Sequence, residues 1–134
     1  MSTLVKCNVI VKVIMTEEFR QRTLREMEEL LEKVKDAQQR IDFQSRIYLA
    51  DLQKVDLQKA AAFRRQWEEE RAEREEFRKD LEQRIERLRT IPEGEEFLLT
   101  TLEAYVEAKE NEPLPIFSPP QIIVKDDKVV EIRR

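Results

Sequence analysis

Apolar residues recur along this chain with two different periods, and the change of period divides it. Over residues 4–14, Leu-Val-Lys-Cys-Asn-Val-Ile-Val-Lys-Val-Ile, they alternate. Val5, Cys7, Val9, Val11 and Val13 fall on one side; Lys6, Asn8 and Lys12 mark the other, with Ile10 and Ile14 among them. A period of two in β-branched residues predicts a strand with one well-defined buried face. The period then lengthens. Met27, Val34, Ile41, Tyr48, Val55 and Ala62 are spaced by sevens, and Leu31 and Leu52 follow Met27 and Tyr48 by four. This is a coiled-coil heptad, interrupted where Gln38 and Ser45 take positions that should be apolar. A second seam runs through Phe63, Trp67, Phe77, Leu81, Ile85 and Leu88.

The helical reading rests equally on what is missing. From Thr16 to Thr90 there is no Gly, Pro or Asn, and the stretch is dense in good helix formers. Thr16 before Glu17 and Glu18 makes a hydroxyl cap followed by acids at the positive end of the helix dipole. Arg84, Arg87 and Arg89 suit the negative end, before Ile91-Pro92. The middle offers no tight-turn residue; only Asp51 and Asp56 could cap. Two topologies fit. One is an unbroken helix of ~110 Å paired antiparallel with a second copy; the other is a hairpin folded near Gln53, about half as long. The shortage of turn residues tilts the balance toward the unbroken helix and a dimer.

Beyond Pro92-Glu93-Gly94 the pattern is ambiguous. In residues 97–108, Leu98, Leu102, Tyr105 and Val106 would share a helix side. As a strand, Leu98, Thr100, Leu102, Ala104, Val106 and Ala108 would share a face, which the Thr pair favours. Pro113, Pro115, Pro119 and Pro120 predict an extended loop. Ile122-Ile123-Val124 and Val129-Val130-Glu131-Ile132, around Lys125-Asp126-Asp127-Lys128, predict a β-hairpin. None of these strands is stable alone, so both chain ends should build one sheet. The expected fold class is α+β. A small antiparallel or mixed sheet (residues 1–15 and 91–134) receives a long coiled-coil helical arm (residues 16–90) inserted after its first strand.

Several of these blocks are familiar together. The strand Val9-Ile10-Val11-Lys12-Val13-Ile14-Met15-Thr16-Glu17, the coiled arm, Thr101-Leu102-Glu103-Ala104-Tyr105-Val106-Glu107 and Ile122 to Ile132 resemble the YlqD family of uncharacterised bacterial proteins. Related sequences tend to carry Gly after the third block and in the last turn. Here Lys109-Glu110-Asn111-Glu112 and Asp127 stand there, which bears on turn type rather than architecture. The resemblance implies the strand form of 97–108. It implies no activity, cofactor or catalytic residue. Some relatives look to be encoded beside ribosome-maturation genes, a hint of an RNA-related role.

Composition narrows the chemistry. Asp and Glu number 29 against 25 Lys and Arg, a net charge of −4, which disfavours phosphate-driven binding. The acidity sits in residues 91–134; residues 17–90 are nearly neutral and read as helix faces laced with ion pairs. There is no His, which removes imidazole catalysis and most zinc sites. One Gly rules out a phosphate-cradling loop. Cys7 lies on the apolar strand face and reads as a structural thiol. The acids Glu68, Glu69, Glu70, Glu73, Glu75 and Glu76 are interleaved by Arg71 and Arg74 and read as a solvated face. No catalytic, cofactor-binding or metal-binding residue is expected, and no cofactor.

The candidate partner-contact residues are Arg64, Trp67, Arg71, Arg74 and Arg78. An Arg stripe beside an aromatic can bind nucleic acid by phosphate contact and base stacking. The plainer alternative packs the Arg stems over Trp67 at a helix seam, and the adjacent Glu residues favour it. The expectation is therefore a non-enzymatic, dimeric coiled-coil interaction or scaffold protein that pairs with itself and with a protein the sequence does not name. The alternative is a ribosome- or RNA-associated accessory factor using the Arg/Trp side of the arm. No apolar run reaches the roughly 18 residues of a membrane span, and the start lacks a signal-peptide pattern; the chain reads as soluble, cytoplasmic and without a membrane partner.

Overall fold

Alternating β-branched residues build strand β1, Ser2–Ile14, in the computed structural model, which describes all residues 1–134. Helix α1 spans Glu17–Val55 and helix α2 spans Leu57–Thr90. Strands β2 (Glu96–Lys109), β3 (Gln121–Lys125) and β4 (Lys128–Arg133) complete the chain. The fold is α+β, with one mixed sheet drawn from both chain ends. The strand form of residues 97–108 is the one adopted. Two compact units result: residues 1–21 with 91–134, and residues 22–90. No helix is long and apolar enough to cross a membrane.

The sheet order is β2-β1-β3-β4. β1 pairs antiparallel with β2 (Val5 opposite Val106, Val9 opposite Leu102, Val11 opposite Thr100) and parallel with β3 (Val11 opposite Ile122). The parallel pairing follows from the proline-rich loop, whose last carbonyl, on Pro120, accepts the Ile10 N–H at 3.0 Å and sets the direction of β3. Cys7, Val9, Val11 and Val13 are buried, as the alternation predicts, while Val5 is half-buried. The opposite face is not simply polar. Ile123, level with Lys12, is 0% exposed, and Ile10 and Ile14 are half-buried.

An ion pair spans the sheet from edge to edge. Arg133 on β4 donates from Nη1 and Nη2 to the two carboxylate oxygens of Glu96 on β2, at 2.8 and 2.5 Å. β2 and β4 are the two edges of the sheet. For them to be bridged the sheet must curl. The Arg133 fork holds the Glu96 carboxyl below its ordinary range. Because the folded-state value is the depressed one, this contribution is complete above the unfolded carboxylate range and is lost as pH falls through the folded value. Arg133→Ala should return Glu96 to an ordinary titration, read by NMR of the Glu96 side chain. An unchanged Glu96 titration in that variant would show that another group holds it down.

Within the β unit, the residues on either side of the helical segment are tied to one another and to the sheet. Thr16 caps α1 as expected: its Oγ1 accepts the Phe19 N–H at 3.2 Å and donates to Asp126 Oδ1 at 2.9 Å. Met15, 0% exposed, donates to the Glu95 carbonyl and accepts from the Gly94 N–H, both at 2.8 Å. Arg20 donates through Nη2 to the Ile91 carbonyl, and the rings of Phe19 and Phe97 lie 5.7 Å apart. Gly94 has φ +87°, at the third position of a turn closed by Glu95 N–H on the Pro92 carbonyl. The β3–β4 turn has Asp126 at φ 49° and Asp127 at φ 65°, the two left-handed residues of a two-residue hairpin loop. Asn111, φ 67°, does the same work in the turn after β2. Asp and Asn tolerate this region better than most residues, so the missing glycines alter no strand.

Candidate interaction site on the helical hairpin

The unbroken helix favoured by composition is not what forms. The chain reverses at Asp56, and α1 and α2 lie antiparallel within one molecule. Regular bonding runs up to the reversal from both sides: Asp56 N–H donates to the Leu52 carbonyl, and the Asp56 carbonyl accepts from Ala60 N–H. Asp56 Oδ1 accepts the Lys59 N–H at 3.1 Å. One capping side chain therefore suffices to restart the helix, without Gly or Pro.

The seam of the hairpin departs from the heptad. Met27, Leu31, Val34 and Ile41 are half-buried on it, but the buried line then passes to Asp42 and Leu49. Tyr48, Val55 and Ala62 are left exposed. The cause is geometric: a straight α-helix repeats every 3.6 residues, so positions spaced by sevens drift off a fixed face. Tyr48 still reaches across at the rim, its ring 4.8 Å from that of Phe63 in an edge-on contact. On α2, Ala60, Leu81, Ile85 and Leu88 are buried, whereas Phe77 is exposed and leaves the seam.

Midway along the hairpin the seam is polar. Asp42, 9% exposed, accepts the Trp67 indole N–H at 3.1 Å through Oδ1, and its Oδ2 lies 3.5 Å from Arg71 Nε. Arg74 Nη1 stands 3.9 Å from Glu70, and Arg78 pairs with Glu75 on its own helix. Gln38 Oε1, Arg74 Nε and Nη2, and Arg78 Nε are buried without a hydrogen-bond partner. Of the candidate residues, Trp67 and Arg71 meet at Asp42, whereas Arg74 and Arg78 pair with acids of their own helix. Arg64 is exposed. Sequence reasoning missed Asp42 and Gln38. Gln38 was visible as a heptad interruption; Asp42 gave no signal, because its partners are 25 and 29 residues away.

Loss of the carboxylate tests this layer. Asp42→Ala leaves the part-buried Trp67 N–H without its acceptor, and should destabilise the hairpin by about 1–2 kcal/mol. Asp42→Asn keeps an acceptor for Trp67 and gives up only the half-exposed Arg71 pair, worth at most about 1 kcal/mol. Urea unfolding followed by the fluorescence of Trp67, the single tryptophan, separates the two variants. Equal midpoints would mean that the indole bond contributes nothing.

Comparison with known proteins bears on the fold. A family model described as YlqD protein matches residues 3–133. No curated protein matches the sequence. The crystal structure of a protein of unknown function from Synechococcus sp. WH 8102 is similar at a TM-score of 0.88 and 16% identity, covering 100% of this chain and 96% of that one.

Proposed function

For a chain that belongs to the YlqD family, we propose a non-enzymatic role in the cytoplasm: a homodimeric interaction or scaffold protein that offers its helical hairpin to another protein. The observation that carries this is apolar surface. Phe43, Ile47, Val55, Leu57 and Phe77 on the hairpin are all more than half exposed. Phe43 and Ile47 are one turn apart on the same side of α1, and Val55 and Leu57 flank the Asp56 reversal. Exposed apolar groups in such clusters mark protein-binding surface. The cytoplasmic placement rests on the lone, buried, unpaired Cys7, which suits a reducing compartment.

The RNA-associated reading draws less support. Trp67 and Arg71 are engaged by Asp42, and Arg74 and Arg78 stand beside Glu70 and Glu75. Acids within the stripe oppose phosphate binding. The deciding experiment compares native-cell co-purification by the wild type and by Phe43→Ser/Ile47→Ser. Partners lost only from the variant support the protein-binding reading. RNA retained in a salt-dependent manner, and lost in Arg71→Ala/Arg74→Ala, would reverse the order.

A further inference from the structure

Charge is distributed unevenly along the helical hairpin. Its closed end, residues 46–65, carries five cations, Arg46, Lys54, Lys59, Arg64 and Arg65, against Asp51 and Asp56. The next eleven residues, 66–76, carry six acids and two cations. All five cations of the closed end are exposed, and none forms an ion pair. Further down α2, by contrast, Arg71, Arg74, Arg78, Arg84 and Arg89 each stand beside a carboxylate. Helix energetics do not account for the closed end. α1 starts with Glu17 and Glu18, as the helix dipole favours, and Lys54 in its last turn suits the opposite pole. α2 has no acid in its first turn and carries Lys59 three residues past the Asp56 cap, where a cation opposes the dipole. A residue that breaks a local rule points to a requirement outside its helix. At the same apex Val55 and Leu57 are 81% and 73% exposed, more than any other large apolar side chain of the hairpin.

We propose that the closed end of the hairpin docks on an acidic protein surface. Val55 and Leu57 enter an apolar depression there, and the surrounding cations face Asp and Glu residues at its rim. The proposal rests on the protein-binding reading above and names the partner's chemistry. Unpaired cations call for an anionic partner, and the apex selects a protein among the anionic ones. Single-stranded nucleic acid is held on aromatic platforms. The apex offers aliphatic side chains instead, and the nearest aromatic rings, Tyr48 and Phe63, are packed on each other. An anionic membrane would have to take in Asp56 between Val55 and Leu57, a carboxylate that the Lys59 N–H fixes in place. Headgroups repel that charge and hydrocarbon rejects it. A protein interface accommodates all three residues, because its centre is apolar and its rim is polar and wet.

The test places a photoreactive benzophenone amino acid at position 55 of the full chain in its native cell, and identifies the cross-linked peptide by mass spectrometry. The expected product is a protein segment in which Asp or Glu flanks apolar residues. Lys59→Glu/Arg64→Glu should lower the cross-link yield about tenfold or more, with circular dichroism unchanged. An acid in the first turn of α2 suits the helix dipole, so unfolding does not account for that loss. Reversal of the partner's flanking acids to Lys should restore the yield. Cross-linking to RNA, to lipid or to a protein segment without acids overturns the proposal. So does a yield that Lys59→Glu/Arg64→Glu leaves unchanged, or one that the partner's reversal does not restore. Absence of any cross-link at position 55 overturns it as well. The protein-binding reading then stands if partners still co-purify with the wild type and are lost from Phe43→Ser/Ile47→Ser, and falls with the proposal if none co-purify.

Discussion

Removing residues 121–134 is expected to unfold the β unit and leave the remainder prone to aggregate. The truncation deletes β3 and β4 and, with them, the parallel partner of Ile10–Val13. It also deletes Ile123, which has no exposed surface. Truncation of one such side chain costs about 2–5 kcal/mol by itself. Also lost are the Thr16–Asp126 hydrogen bond, which ties the α1 cap to the hairpin turn, and the Glu96–Arg133 fork across the curled sheet. Whole domains are stable by only about 5–15 kcal/mol, so the remaining β1–β2 pair should not persist. β1 would then carry a second open edge over an apolar face. Amide exchange of residues 5–13 reads the result. Protection there that is unchanged by the truncation would show that β1 and β2 hold together without the C-terminal strands.

Val11→Asp should have a comparable effect by a different route. Val11 is 8% exposed and sits on an interior strand, between Thr100 and Ile122 on either side. A carboxylate placed there has no cation opposite it. It must either be buried unpaired or take up a proton, and each outcome costs several kcal/mol. Lys6→Asp, on the exposed side of the same strand, provides the control. It exchanges the exposed Lys6–Glu103 pair, whose oxygen–nitrogen distance is 3.3 Å, for two solvent-screened like charges, and should cost only about 1 kcal/mol. A Val11→Asp protein with native exchange in β1 would mean that this face is wetter than its packing suggests.

Much of the fold follows from local pattern. The alternation of residues 5–13 predicts the buried face of β1, and Thr16 is the cap its hydroxyl and the following acids indicate. Other features were visible only in outline. Residues 97–108 carry both a helical and a strand pattern, because Thr, Tyr and Val are spaced to satisfy either. Pairing with β1 at every residue from Ser2 to Val11 decides for the strand. The candidate stripe was legible in part. Trp67, Arg71, Arg74 and Arg78 share a helical side by spacing alone, but what they face is set by α1. Asp42 becomes the buried partner of Trp67 only once the two helices are juxtaposed.

The sequence by itself determined the local conformations: strand where β-branched residues alternate, helix where good helix formers run unbroken, loop where prolines crowd. It also determined that both chain ends needed a common sheet, since none of the strands can bury its apolar side alone. Tertiary structure decided the path between them. Propensity favours one continuous helix through Asp56, yet such a helix would hold residues 16 and 91 about 110 Å apart. Hydrogen bonds from Met15 to Glu95 and from Gly94 to Met15 require those ends to touch. Closing the sheet within one chain forces the reversal, and a single Asp56 cap makes it affordable. The same reversal moves the seam from Tyr48 to Leu49 and sets Asp42 against Trp67, because interhelical contact follows the true 3.6-residue turn and not the spacing of apolar letters.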